Sequence, residues 1–482
     1  MNHAFDRYSA FTDLPALNAI SALPLRKSLR VNTLKTTVEA VKAHAGKRGW
    51  VLTPVPWCSE AFFVEREDRS QGIGRDMLHQ LGHFYLQEAA SMLPAVLLDP
   101  QPGEAILDMS AAPGSKTTLM AAKMSFDKLR MTPSGVIVAN DVQEKRLWTL
   151  KSALHRMGVS NVIVTKKVGQ WFSAHMTERF DRVLCDAPCT AQGTVRKDSD
   201  ALKYASMENI EKMARLQMTL LEAAVHSTKV GGRIVYSTCT LTPEENEGVM
   251  QKILNKFSTQ LEIIDPRSIP IAPDGFWEPA IADSIRVQES MEDQTHPQLP
   301  LLRLWPQTYD TEGFFSAVLK KIAPTRHPMD VERVHFQERE LPRSRRDEIG
   351  KILEEEFGVA FLSEDDRLFE RGGELLLSTK DVASFTLPVS DYSLGLPFGR
   401  RLPDGRVLLH NEVVTLRGAH ATKQTIDVGE ADVTALFAGE NLTCDPSLRG
   451  HLIIRHNGIV LGHGLAKDGV LKNNLARSMI VR

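Results

Sequence analysis

The chain is predicted to fold as a doubly wound α/β protein, a parallel sheet covered on both faces, followed by a β-rich region. Three features of the sequence carry this. Short continuous apolar runs of strand length recur between residues 105 and 236, amphipathic helical segments alternate with them, and Pro-Gly or Gly breaks separate the two. Uninterrupted apolar strands belong to sheets buried on both sides.

Gln101-Pro102-Gly103 is a turn before the buried run Ala105 to Met109, and a helix should follow the loop at Pro113-Gly114. Beyond Pro133-Ser134-Gly135, Val136 to Asp141 reads as a second strand, and the amphipathic segment Glu144 to Met157 stops at Gly158, a good helix terminator. The alternation continues with strands at Val162-Ile163-Val164 and Arg182 to Asp186, a helix from about Met207 to Thr228, the Gly231-Gly232 break and a strand at Arg233 to Tyr236. Thr242-Pro243-Glu244-Glu245 has the order of a capping box, with hydroxyl at N-cap, proline at N1 and acid at N3, so a helix should start there. Pro324 to Pro342, with Arg326, His327, Arg333 and Arg339, reads as a polar linker, and Asp347 to Glu356 as an acidic helix. After it, β-rich runs such as Arg406 to Leu409 and His451 to Ile454 alternate with glycine turns, as in small β-barrels.

At 482 residues the chain holds roughly three domains of about 100–200 residues. With 42% apolar and 24% charged residues it has a soluble globular composition, and no apolar run is long enough for a membrane span. Met1 to Asp13 lacks the apolar core of a secretory signal. Five scattered cysteines form no disulfide framework, which suits a reducing cytosol, and no zinc or calcium motif is present, so no metal is expected. The net charge of −2 announces no nucleic-acid partner, yet Leu25 to Arg48 gathers seven basic residues against one acid, and Arg449, Arg455, Lys467, Lys472, Arg477 and Arg482 enrich the tail. Solvated faces and phosphate-binding patches are equally good readings of such clusters.

In an open doubly wound sheet, ligands bind beyond the carboxyl ends of the strands. The loop Ser110-Ala111-Ala112-Pro113-Gly114-Ser115-Lys116 lies there, with small residues that admit a ligand and a helix amino terminus that offers free N–H groups. It is not a P-loop, since Ser115 separates Gly114 from Lys116. Asp141, at the end of the second strand, stands where an acid receives ribose hydroxyls, though an aspartate there also caps helices. Together these favour a nucleoside cofactor without a pyrophosphate, and S-adenosyl-L-methionine fits.

Cys189 and Cys239 also fall just past strand ends, whereas Cys58, Cys185 and Cys444 read as small core residues. Cytosine carbon 5 is too weak a nucleophile to take a methyl group from a sulfonium directly. A thiolate added at carbon 6 gives the ring enamine character, so that carbon 5 attacks. Asp186, three residues before Cys189, is placed to hydrogen-bond ring nitrogen 3, provided it holds a proton. A second thiol then serves proton loss from carbon 5 and release.

Six strings resemble the Nol1/Nop2/Sun family of RNA 5-methylcytosine methyltransferases: Leu29 to Lys35, Tyr85 to Pro94, Ala111 to Thr117, Asp186-Ala187-Pro188-Cys189, Ser237-Thr238-Cys239-Thr240 and Glu312-Gly313-Phe314-Phe315. The resemblance implies a Rossmann-like class I methyltransferase sheet, Cys239 as nucleophile, Cys189 in product release, and Ser110 to Lys116, Asp141 and Asp186 in the cofactor pocket. It also implies ribosomal RNA of the small subunit (16S rRNA) as partner, free or in the assembled subunit, a cytoplasmic monomer, and a PUA-like carboxyl-terminal RNA-binding module. The expected division is 1–95 for an amino-terminal α/β RNA-binding extension, 96–323 for the methyltransferase domain, 324–345 for a linker and 346–482 for the carboxyl-terminal region. Two departures stand out. Thr190-Ala191 replaces the usual Ser-Gly after Ala-Pro-Cys, crowding the Cys189 loop, and Val168-Gly169 replaces an Asp-Gly pair, costing the adenine a hydrogen bond worth about 1 kcal/mol. The alternatives are a DNA cytosine-5 methyltransferase, or a ribosome-assembly RNA-binding factor whose methyltransferase domain has decayed.

Overall fold

The computed structural model describes residues 3–125, 133–272, 299–327, 332, 334, 336–476 and 479–480. Parts of the expected methyltransferase domain (126–132 and 273–298) and of the linker, Arg333 included, lie outside the described residues, as do Arg477 and Arg482.

The amino-terminal part contains α1 (Leu14–Ser21), β1 (Lys27–Val31), α2 (Val38–Lys47), β2 (Trp50–Val55), β3 (Cys58–Arg66), α3 (Met77–Gln80) and β4 (Phe84–Leu86). Its four strands form an antiparallel sheet in the order β2-β3-β1-β4. Leu29, Val31, Val41, Ala45, Phe62 and Phe84 make its core. α4 (Leu93–Leu98) follows, an apolar helix buried at all six positions.

The central sheet begins with β5 (Ala105–Asp108), α5 (Ser115–Lys123), β6 (Val136–Asn140), α6 (Glu144–Met157), β7 (Val162–Thr165), α7 (Gln170–His175) and β8 (Phe180–Asp186). It continues with α8 (Met207–Ser227), β9 (Thr228–Thr238), α9 (Glu247–Lys256), β10 (Leu261–Ile264), β11 (Leu302–Leu304) and β12 (Phe314–Lys321). The strands run β10-β12-β9-β8-β5-β6-β7, and the stretch from β9 to β7 is parallel. The chain winds outward from β5 to β7, then returns to place β8 and β9 on the other side of β5. The loops after β5 and β8 therefore diverge and open a crevice at the carboxyl ends of the strands. Alternate strand residues serve opposite faces. Ile106, Ile137, Leu184 and Val235 pack with α4, α5 and α6, while Leu107, Val138, Val183 and Ile234 pack with α7, α8 and α9.

Most of the expected elements form, with instructive differences. The Gly231-Gly232 break lies inside β9, where Phe180 pairs with Thr228 but Arg182 with Arg233, so the ladder bulges around it. The capping box does not form. Pro243–Glu245 is a 3-10 turn, Thr242 accepts no capping bond, and α9 starts only at Glu247. The Thr242 hydroxyl instead donates to the Glu245 carboxylate (2.9 Å). β6 stops at Asn140, leaving Asp141 at the loop entrance.

The linker is not free chain. Arg339–Glu340 pairs with Phe369–Glu370, and Gln337 N–H donates to Asp391 (3.1 Å). Beyond it, the helix Arg343–Phe357 buries Ile349, Leu353 and Phe357, and two five-stranded sheets complete a β-rich region. Within that region, Ser393–Leu394 leaves to pair antiparallel with β7, giving the central sheet its ninth strand. Among the described residues no helix is long and apolar enough to cross a membrane.

Candidate active site

β8 and β9 are parallel neighbours with Asp186 opposite Ser237, so the loops that follow leave the sheet side by side. This brings Cys189 Sγ within 3.3 Å of Cys239 Sγ, both half-buried. The Cys189 thiol is pushed well above its ordinary pKa, by its hydrogen bond to Cys239, then by burial and by negative charge on Cys239 and Glu245. At this separation either sulfur is able to donate to the other. Cys58 and Cys185 are buried in the core as expected, whereas Cys444 is only half-buried.

Asp186 ends β8 with both oxygens engaged. Oδ2 lies 2.8 Å from the Lys116 ammonium, and Oδ1 accepts from the Ser237 hydroxyl (2.8 Å). Lys116, expected in the cofactor loop, thus turns toward the thiol side, 5.4 Å from the Phe314 ring centroid. Burial opposes its charge, but the Asp186 carboxylate, joined by Asp108 and Cys239, more than offsets this and raises its pKa. The expected proton donor at ring nitrogen 3 is accordingly not a lone acid but half of an acid–ammonium pair, because the first turn of α5 reaches the end of β8.

On the cofactor side, Ala111 N–H donates to Asn140 O (2.7 Å) and Gly114 N–H to Ala111 O (2.7 Å), which curls Ser110 to Gly114 around the strand end. Gly114, at φ 104°, is required for packing as well as for the turn, since a Cβ there would stand 3.1 Å from both Ala153 Cβ and Leu150 Cδ1. Ser115 opens α5, whose first N–H groups receive no side-chain cap. Asp141 is buried. Its Oδ1 accepts from Gln143 N–H (2.9 Å), and its Oδ2, 3.2 Å from Arg146, has no hydrogen-bond partner. Asp141 therefore caps the turn through Oδ1 while its Oδ2 is paired with Arg146.

Sequence reasoning missed Asp108, Asn140 and Glu88. Asp108 Oδ2 accepts from Thr117 (2.7 Å) while Oδ1 is buried without a partner, and burial pushes the carboxyl up to about 7. Asn140 Nδ2 donates to Met109 O (3.1 Å) and Lys167 O (2.9 Å), joining the loops after β5 and β7. Glu88 accepts from Glu312 N–H (3.2 Å), and burial pushes the Glu312 carboxyl up to about 7. A strand-end acid or amide looks like an ordinary turn residue in sequence, so none gave a signal. Val168, in place of the expected acid, is exposed. The unpartnered Asp108 oxygen and the Asp141 carboxylate at the ends of adjacent strands, with the uncapped amino terminus of α5, suit a ligand carrying hydroxyl or ammonium donors and a carboxylate. S-adenosyl-L-methionine carries all three.

The basic run Leu25 to Arg48 is largely committed internally. Arg26 meets Glu65 (3.2 Å), Arg30 is buried on Gln87 (3.0 Å) and Thr118 (2.8 Å), Lys35 donates to Leu81 O and Thr415 (each 3.0 Å), and Arg48 meets Asp76 (3.5 Å).

Comparison with known proteins gives this geometry a family. The family model described as 16S rRNA methyltransferase RsmB/F matches residues 95–320, and that for the N-terminal domain of 16S rRNA methyltransferase RsmF matches residues 7–89. The chain is 36% identical to the ribosomal RNA small subunit methyltransferase F of Aeromonas hydrophila over 468 residues, 95% of this chain and 91% of the relative. It is 32% identical to the protein of that name from Vibrio vulnificus over 467 residues, 95% of this chain and 92% of the relative. Among solved structures, a methyltransferase homolog from Pyrococcus horikoshii superimposes with a TM-score of 0.52 at 34% identity, covering 66% of this chain and 93% of that one. The chain belongs to the RsmB/F family of 16S rRNA methyltransferases, whose cofactor is S-adenosyl-L-methionine.

Proposed function

We propose that the protein methylates carbon 5 of a cytosine in 16S rRNA through a covalent adduct to Cys239. The observation that carries this reading is the 3.3 Å approach of two thiols beside the Asp186–Lys116 pair. Ser110 to Lys116 and Asp141, with Asp108, hold S-adenosyl-L-methionine. Bound there, it supplies the methyl group as an activated sulfonium.

Cys239, as thiolate, adds to carbon 6. Asp186 orients ring nitrogen 3, and the proton that Lys116 shares with it neutralises charge developing on the ring. After carbon 5 has taken the methyl group, Cys189, as thiolate and no longer hydrogen-bonded to Cys239 once that sulfur is bonded to carbon 6, takes the carbon 5 proton as base. The electron pair of the C–H bond re-forms the ring double bond, and the bond from carbon 6 to Cys239 breaks with its pair returning to the Cys239 sulfur. A target base within folded RNA must be turned out to reach these groups.

Residues 1–95 and the β-rich region 346–482, read as PUA-like, flank the catalytic domain 96–323 as RNA-binding parts, with 324–345 joining them. One copy of the chain supplies every group named, so a monomer suffices, and a ribosomal substrate places the reaction in the cytoplasm. Bisulfite sequencing of 16S rRNA from cells with and without the gene tests the reading. One cytosine should lose its methylation signal when the gene is deleted, and an unchanged pattern would refute the proposal. Mapping with naked RNA and with isolated small subunits then identifies the substrate form.

A further inference from the structure

Glu245 has no role in the chemistry above, yet its carboxylate is completely buried and reaches the loop that carries Cys189. Oε2 accepts hydrogen bonds from Thr190 N–H (3.1 Å) and Gln217 Nε2 (2.7 Å). Oε1 accepts from the Thr242 hydroxyl (2.9 Å) and from the Thr190 hydroxyl. Gln217 Nε2 donates as well to Pro188 O (2.9 Å). Cys189 is therefore bracketed, with Pro188 fixed through Gln217 and Thr190 through Glu245. The Tyr236 hydroxyl, from β9, pins the Glu245 carbonyl (2.6 Å).

At Oε2 both partners are N–H groups, which only donate, so that oxygen must accept. At Oε1 both partners are hydroxyls, which donate or accept, so glutamine is able to keep much of the network and only loss of the whole group unties both sides. Cys239 is tied to the same cluster through its neighbour Thr240, whose hydroxyl lies 3.3 Å from those of Thr190 and Thr242, but it also has anchors of its own. It directly follows Thr238, which is paired with Phe315 of β12, and its own carbonyl accepts from Gly193 N–H (3.0 Å). Loosening Glu245 should therefore displace Cys189 more than Cys239.

We propose that Glu245 is a positioning residue for release of the methylated product: through Thr190 and Gln217 it holds Cys189 against Cys239. This rests on the covalent route proposed above. It also gives a purpose to Thr190, whose hydroxyl completes the bracket.

The test compares Glu245→Ala, Thr190→Val and Thr190→Ser with Cys189→Ala and the unaltered protein. Each is incubated with S-adenosyl-L-methionine and a 16S rRNA transcript, and protein–RNA adduct is scored on denaturing gels beside single-turnover methyl transfer and thermal unfolding. Glu245→Ala and Thr190→Val should accumulate adduct about tenfold above the unaltered protein with first-turnover transfer much less affected, while Thr190→Ser behaves normally. If Cys189→Ala accumulates adduct but folded Glu245→Ala and Thr190→Val do not, the positioning role is overturned. If first-turnover transfer and adduct fall together in those two, Glu245 is only structural and the proposal also fails. Absence of adduct from Cys189→Ala would sink the covalent route itself. Should Glu245→Ala not fold, the Thr190→Val and Thr190→Ser pair decides alone.

Discussion

Cys189 Sγ lies 3.3 Å from Cys239 Sγ, although 50 residues separate the two in the chain. Their meeting follows from strand order. β8 and β9 are parallel neighbours in register, so side chains just beyond their ends converge. At that distance the pair shares a hydrogen bond, which together with burial and neighbouring negative charge pushes the Cys189 pKa well up. The two sulfurs are thereby made unequal before any substrate arrives.

That inequality predicts opposite phenotypes for the two alanine variants. Cys189→Ala should trap a covalent complex with 16S rRNA that survives denaturation, since attack proceeds and release stalls. Cys239→Ala should form none and lose methyl transfer by at least about 1000-fold, as expected when a covalent nucleophile is removed. Denaturing gels with labelled RNA read both. Trapping by the Cys239 variant would reverse the assignment.

Gly193 holds Cys239 from the opposite side. Its N–H donates to Cys239 O (3.0 Å), and its own carbonyl accepts from Gly313 N–H (2.8 Å). A Cβ on Gly193 would lie 2.3 Å from Gly313 O and 2.7 Å from Cys239 O, both backbone atoms that cannot swing away. Gly193→Ala should therefore push Cys239 off its line of attack and lower single-turnover transfer by about 100-fold, the size expected from a misplacement near 1 Å. Rapid-quench transfer assays check this, and a variant with normal transfer would show that the crossing of these loops is not a positioning contact.

The same relationships divide what the sequence reveals from what it hides. The strands of the central sheet are legible because each is a continuous apolar run, and Gly158 was identifiable as a stop because it alone takes the left-handed conformation (φ 78°) at the end of α6. Both thiols and Asp186 lie together beyond adjacent strand ends, as the sequence pattern suggested, because β8 and β9 are parallel neighbours. Glu245 was misread because Thr-x-x-Glu is a local pattern, while two of its partners, Thr190 and Gln217, lie far upstream and only Thr242 is local. The Lys116–Asp186 pair was not foreseen, since nothing local indicates that the first turn of α5 reaches Asp186. Ser393–Leu394, a two-residue strand, is too short for any periodicity to show.

Ala191 exposes a cost in the Cys189 loop. The resemblance calls for glycine there, and Ala191 sits at φ 60°, ψ 22°, in the left-handed region. An L-residue is disfavoured in that region by about 1–2 kcal/mol, and glycine gives back part of this through its freer unfolded chain. Ala191→Gly should raise stability by roughly 0.5 kcal/mol, visible as a higher urea midpoint at unchanged slope. A lower midpoint would mean that the Ala191 methyl packs better than its backbone is strained.

Asp108 yields a pH signature. Its folded-state pKa is pushed up from 3.8 to about 7, chiefly by burial, so between those values the folded protein holds a proton that the unfolded chain has released. A raised folded value means stability from this group is complete below pH 3.8, declines as pH climbs toward 7, and is level above it. Asp108→Asn removes the titration while keeping a group that can bond Thr117. Its stability relative to the unaltered protein should thus increase from pH 4 to pH 7, by an amount on the order of 2–4 kcal/mol at most. Urea unfolding at several pH values across this range provides the measurement. Parallel pH profiles for the two proteins would show that Asp108 ionises freely in the fold, and the unpartnered oxygen assigned to the cofactor would then have another partner.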